Sequence, residues 1–425
     1  MTCEVAVLNK YAIVLAADSA VTTTNGDGER RYSKGGNKIF QLSHHEPVGV
    51  MIFGSAAICG MPWEIVIKAY REEHLQQNKF DSVEEYADNF FSFIQSAVSP
   101  ISAELRDAAH VNGLQQTALN LLREIEKRNA AVMDKAAPLP DRAAAAIAVL
   151  NDLEASIDSG PFESPELEAA AKKSAANPPD AFKDAVTEAL ENPALKGVFD
   201  GDTLIRVACK FFFRKYDSVL PTTGVVFAGY GKLQYFPCVI EYAVPGFVGD
   251  HFVCSKEQRT DVSLETPSEI LPFATTSQVD AFMRGVGLDV FVEVNDSFAE
   301  FAGGLARSVL ADAGAALPAD LAARIEAARN EFRAKWYGNV LQSHYHSLKR
   351  VIGSLSLEEM AHLAETLVTL ESLKERVTTP KQSVGGPIDV AVITKSEGLV
   401  WIKRKHFFDS EKNLRFILRQ RALYQ

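Results

Sequence analysis

Apolar residues change their spacing several times along the chain, and the changes divide it. The opening runs CEVAVL (3–8) and YAIVLAA (11–17) are short and continuous. They meet at Asn9-Lys10, a dipeptide suited to a tight turn, and predict a hairpin. A glycine-rich polar loop follows. KIFQL (38–42) and VGVMIFG (48–54), joined by SHHEP, predict two more strands, and all four are expected to pair into one antiparallel sheet through short connections.

From Ser55 the period becomes helical. SAAICGMPWEIVIKAYREEHLQ and DSVEEYADNFFSFIQSAV predict two helices, the second with Ser82 as N-cap and Glu85 as its capping-box partner. Between about 100 and 220, Ala-, Glu- and Lys-rich stretches broken by PLP, GPFESP and NPP predict helices with exposed linkers. Strand signals return in GVVFAGYG (224–231) and YFPCVIEYAV (235–244), and LPFATTSQVDAFMRGV predicts a strand end opening into a helix. Residues 290–345 read as mostly helical, and the next helix has Ser356 as N-cap with Glu359 three residues on. PIDVAVIT and EGLVWIKRK predict a last hairpin, and no repeat of fixed period occurs. The whole predicts an α+β layered domain with helical insertions.

With 425 residues, 47% of them hydrophobic, the chain can build a sizeable core. No run reaches a membrane-spanning length, and the start lacks a signal-peptide layout, so a soluble cytoplasmic protein is expected, with no membrane partner. Cys3, Cys59, Cys209, Cys238 and Cys254 are scattered without CxxC pairing, which predicts reduced cysteines. A net charge of -11 argues against nucleic acid, and the KRK run at 403–405 reads as a solvated strand end. His44-His45 and His344/His346 lack metal-ligand spacing, no HExxH occurs, and no GxxxxGK[ST] occurs; neither a metal nor a cofactor is expected.

Candidate chemistry sits at the front end. If the residue ahead of Thr2 is removed, Thr2 has both a hydroxyl nucleophile and, in its own α-amine, a base with an ordinary pKa of roughly 7.7–8.0. Lys38, heading the third strand, can supply positive charge beside it, and Asp18, ending the second strand, can pair with Lys38. Gly54, in a Gly-Ser-Ala-Ala turn between a strand and a helix N-terminus, is the candidate oxyanion donor, its missing Cβ admitting substrate to the backbone. Cys3 reads as a strand residue.

The stretches TCEVAVLNKYAIVLAADSAVT, NKIFQL and GVMIFGSAA resemble the start of a proteasome β subunit and its bacterial relatives, which are N-terminal nucleophile hydrolases. SVGGPIDVAVITKSEGLV and GVVFAGYG are similar to that family's closing and central strands. The resemblance implies a four-layer αββα sandwich formed by 1–98, 222–285 and 350–410, helical insertions at 99–221 and 286–349, and a C-terminal tail or helix at 411–425. It places Thr2 on the catalytic threonine, Asp18 and Lys38 on its buried partners, Gly54 on the oxyanion glycine, and Thr22 on a position that pairs with extended substrate. Ser383 and Thr275 become accessory candidates, and Val21, Ile52 and Ala56 line an apolar slot for substrate. Lys381 and Val384 depart from the acid and serine the family carries before its paired glycines, here Gly385-Gly386.

The expected function is a threonine-type peptidase that cleaves peptide amides through an acyl-enzyme. Its partners would be a polypeptide substrate, further copies in a homo-oligomer, and a separate ATPase or adaptor. Two alternatives stay open: an amidase acting on a small molecule or conjugate, and a silent scaffold for assembly or partner binding.

Overall fold

The computed structural model describes residues 3–24, 30–33, 35–134, 136–378, 385–406, 408, 411–415 and 418. β1 (Cys3–Asn9) and β2 (Ile13–Ala17) form the first hairpin; β3 (Val21–Thr24) and β4 (Arg30–Ser33) form a second within the polar loop. β5 (Ile39–Gln41) and β6 (Val48–Gly54) pair next, and the two-residue strands β7 (Ala57–Ile58) and β8 (Met61–Pro62) lead into α1 (Trp63–Ala69) and α2 (Val83–Gln95). Five helices follow: α3 (Ala103–Arg128), α4 (Leu139–Asp158), α5 (Pro165–Ala176), α6 (Asp180–Leu190) and α7 (Gly201–Arg214). The strands resume as β9 (Thr223–Gly229), β10 (Cys238–Val248), β11 (His251–Asp261) and β12 (Ser268–Ala274). α8 (Ser277–Arg284), α9 (Leu288–Asp312), α10 (Leu321–Val340), α11 (His346–Ile352) and α12 (Leu357–Thr378) precede the closing hairpin of β13 (Asp389–Thr394) and β14 (Gly398–Lys403).

The protein is thus a mixed α and β structure with antiparallel sheets. Among the described residues, two sheets have five strands each, ordered β12-β1-β2-β13-β14 and β11-β10-β9-β6-β5. The four opening strands do not share one sheet, as their short connections predicted. β1 and β2 join the first sheet and β5 and β6 the second, because β1 takes its outer partner from β12 and β6 takes its from β9, both far along the chain.

Alternation explains why the opening runs are apolar on both faces, with Glu4 the exception. Ala6, Leu8, Ile13 and Leu15 face the second sheet and meet Met51, Val226 and Ala228. Val5, Val7, Val14 and Ala16 face the other way and pack on α8 and α12 through Val279, Met360, Ala364 and Leu367. A strand buried on both faces has no polar side to show. The second sheet's other face buries Ile52, Val225 and Phe227 against Trp63, Tyr70 and Phe90 of the α1 and α2 region, with Phe90 5.6 Å from Phe227 between ring centroids.

α3 to α7 have their own core, including Leu121, Leu150, Phe182 and Phe212, which Val248 of β10 joins. The Ser82–Glu85 and Ser356–Glu359 caps form as expected, each serine hydroxyl accepting from the glutamate N–H at 3.3 Å. The helix expected from Ser55 begins only at Trp63, since Cys59 (φ 48°) and Gly60 (φ 77°) turn through left-handed backbone that a helix does not accept. β11 lies in a mostly polar, exposed stretch at a sheet edge, so the apolar pattern gave no sign of it.

Phe90→Ala should lower stability by about 3–5 kcal/mol, read as an earlier urea unfolding midpoint. An unchanged midpoint would contradict its place at the centre of that core.

Candidate active site

β1 carries one charge into a dry interior. Glu4 alternates with Cys3 and Val5, so it points with Ala6 and Leu8 into the layer between the sheets. There its Oε1 meets Lys38 Nζ at 2.9 Å, presented from the opposite sheet by the residue preceding β5. Asp18, one residue past β2, binds the same ammonium through Oδ1. All three residues are buried.

Asp18 is held by the backbone around it. Its Oδ1 also accepts from the Cys3 N–H at 3.3 Å, and its Oδ2 accepts from the Gly385 N–H at 2.6 Å. Its own N–H donates to the Cys3 carbonyl at 3.2 Å. The Ser19 hydroxyl donates to the Pro387 carbonyl, which ties the same corner to the approach of β13. Gly385 and Gly386 have φ of 140° and 89°, backbone that suits glycine and brings the amide onto the carboxylate. On the other sheet, the Ile52 N–H donates to the Lys38 carbonyl at 2.9 Å and sets where that side chain starts.

Two carboxyl groups share one amine nitrogen at this corner, beside the Cys3 thiol. Burial pushes it far above its ordinary range, the carboxylates of Glu4, Glu371 and Asp18 push the same way, and Lys38 opposes them. Glu371 is itself engaged at the start of α8, accepting from the Ser277 hydroxyl at 2.9 Å and the Gln278 N–H at 2.7 Å. A thiol held protonated is a poor nucleophile, which fits the reading of Cys3 as a strand residue.

The remaining candidates are spread around this corner. Thr2 and Ser383 lie outside the described residues, as do Lys381 and Val384. Thr2 is the residue bonded to Cys3 N. The backbone of Thr22 lies opposite Tyr32 in the β3–β4 hairpin. Thr275 follows Ala274, which pairs with Cys3 across β12 and β1. Ile52 is buried against the α1 and α2 core, Val21 is half-buried over Gly36, and Ala56 is exposed.

Gly54 ends β6, and no helix begins there, since α1 starts at Trp63. Its φ is 78°, and a Cβ would fall 2.6 Å from the carbonyl oxygen of Thr222, the residue ahead of β9, so the backbone there requires glycine. Trp63 and Thr223 fix the turn, the indole donating to Thr223 Oγ1 at 2.9 Å and that hydroxyl donating to the Ser55 carbonyl at 3.0 Å.

Sequence reasoning missed Glu4 and the Gly385 amide. Glu4 had a signal: a lone carboxylate inside a run buried on both faces needs a cation. Among the described residues, no group of three or more His, Cys, Asp and Glu side chains is arranged to hold a metal, and His44 instead meets Glu72 at 2.8 Å. Also among the described residues, no helix is long and apolar enough to cross a membrane.

No family model matches the chain, and no curated protein matches it. Among solved structures it is similar to the Gly-1 mutant of Anbu from Hyphomicrobium sp. strain MC1, at 11% identity over 99% of this chain and 97% of that one, with a TM-score of 0.30. A likeness that loose says nothing about fold or activity. The expected membership among proteasome β subunits and their bacterial relatives is therefore corrected: with no family model matching, the chain is assigned to no family. The stretches that carried the resemblance are short strands and turns whose apolar composition the two buried layers require in any case.

Lys38→Met should lower stability by about 3–5 kcal/mol, since it leaves two buried carboxylates without their cation. Adding Glu4→Gln should recover part of that loss in the same urea titration. Cys3 should resist iodoacetamide at pH 8 in the folded chain and react on denaturation, followed by peptide mass mapping; labelling in the native state would contradict its burial.

Proposed function

We propose that the protein is an N-terminal threonine hydrolase of peptidase type, with Thr2 as nucleophile. The observation that carries this reading is the buried Lys38 ammonium bound by Asp18, whose carboxylate also accepts from the amide of Cys3, the residue that follows Thr2.

In this reading the bond ahead of Thr2 is cleaved, freeing its α-amine. The amine takes the hydroxyl proton as Thr2 Oγ adds to a peptide carbonyl, and the positive charge of Lys38 stabilises the developing alkoxide. The Gly54 N–H serves the oxyanion. Collapse of the tetrahedral adduct passes the proton from the ammonium to the leaving amine and leaves an ester on Thr2. Water then adds to that ester, its proton going to the α-amine, and breakdown returns the proton to Oγ and releases the acid.

Asp18 orients Lys38. Among the described residues β3 pairs only with β4, which leaves its other edge for an extended substrate backbone beside Thr22. In the same reading the helix, sheet, sheet, helix order is a four-layer αββα sandwich, with 99–221 and 286–349 inserted into it.

The test is intact mass of the full chain, with Thr2 as first residue, after exposure to a β-lactone electrophile. One adduct on Thr2 is expected, absent in Thr2→Ala, retained in Thr2→Ser, and formed about 100-fold more slowly or worse in Lys38→Ala. A free Thr2 that acquires no adduct overturns the proposal.

A further inference from the structure

A lysine carries a compact point charge on a long flexible stem, so a single partner fixes its distance from that partner and little else. Lys38 has two, and they come from different parts of the opposite sheet. Asp18 stands one residue past β2, and its carboxyl is itself fixed, Oδ1 accepting from the Cys3 N–H at 3.3 Å and Oδ2 from the Gly385 N–H at 2.6 Å. Glu4 stands inside β1, with Oε1 2.9 Å from Lys38 Nζ. Among the described residues no third hydrogen-bond or ion-pair partner meets that nitrogen.

Strand pairing gives no reason for a carboxyl at position 4. The backbone there lies opposite Ala17 and Phe273, and the side chain shares a face with Ala6 and Leu8, where an apolar residue would continue the layer. A carboxyl fully buried in such a run is costly, and exchanging it for a well-packed apolar residue is often neutral or stabilising. What Glu4 adds is a second hold on Lys38 Nζ, taken from a residue two places along the chain from Thr2. Two holds from two strands define a point where one defines only a distance.

We propose that Glu4 is a positioning residue for the reaction at Thr2: it fixes where Lys38 Nζ stands relative to the opening strand, so that the charge meets the developing alkoxide. This rests on Thr2 being the nucleophile. Glu4 acts through Lys38 and exchanges no proton or bond with the substrate. Its effect is one of placement, and a shift of about 1 Å in a group of this kind costs on the order of 100-fold in rate.

The experiment follows β-lactone adduct formation by intact mass on the full chain with Thr2 as first residue, over a range of lactone concentrations. Glu4→Leu keeps the volume and removes the hold; its rate at saturation should fall about 10-fold or more, with the apparent affinity for the lactone unchanged. Glu4→Gln keeps the length and an oxygen for Nζ, and should restore most of that rate. Glu4→Met replaces Glu4→Leu if the latter does not fold. A role in sheet registration alone would instead lower the urea midpoint and leave the rate of the folded chain intact, which overturns the proposal. So would a Glu4→Gln chain as slow as Glu4→Leu, or a loss in affinity in place of rate. A second measurement needs no reaction: NMR of the chain labelled at lysine Cε and Nζ, with the Lys38 signal assigned by its change in Lys38→Arg. The parent and Glu4→Gln should each give one resolved Lys38 signal, and in Glu4→Leu it should move into the envelope of exposed lysines. A parent whose Thr2 takes no adduct defeats the peptidase reading, and NMR then decides by itself whether Glu4 places Lys38. A Lys38 signal unmoved in Glu4→Leu overturns the proposal in either case.

Discussion

One buried cation bridges the two sheets. Lys38 reaches across from the second sheet to Glu4 and Asp18 of the first, and the positions of Cys3, Ser19 and Gly385 follow from how Asp18 is held. Apolar contacts between the sheets are non-directional and would tolerate sliding; an ammonium between two carboxylates does not. Removing three charges from water recovers little net stability, and what the cluster supplies is a defined registration of one layer on the other. A one-residue slip of β1 against β2 and β12 would turn Glu4 toward α8 and α12, into a core of Val, Met, Ala and Leu with no cation of its own.

The polar corner sits where the apolar filling stops. Between the sheets Leu8, Ile13, Leu15, Met51 and Val226 exclude water, and at the end of that layer Asp18 and Lys38 lie past β2 and before β5, where backbone amides are not committed to strand pairing. The amides of Cys3 and Gly385 are thus available to the carboxylate. A charged group in such a place keeps its orientation without being exposed, which is the condition electrostatic catalysis needs. The same burial holds the neighbouring thiol of Cys3 protonated.

The helices outside the sheets satisfy burial in two ways. α3 to α7 fold around one another and present an interior of Leu, Ile and Phe comparable to that beneath the sheets. α9 and α10 have little interior beyond their stacked rings, and much of their apolar surface faces outward.

Local features were legible in the sequence. Turn chemistry and apolar runs disclosed the hairpins β1–β2, β5–β6 and β13–β14, and Ser82 and Ser356 disclosed two helix starts, because each depends on residues a few positions apart. Asp18 and Lys38 were legible as a pair for the same reason: each stands at a strand end, where a charge is conspicuous. Tertiary structure alone decided which hairpin joins which sheet, since that rests on β12 pairing with β1 and β9 with β6 across hundreds of residues of chain. It also decided that Gly54 answers to the Thr222 carbonyl, and that Glu4 completes the cluster. No local pattern encodes which layer a strand's inward face will meet; that is settled only when distant strands compete for the same edge and the buried charge finds its partner.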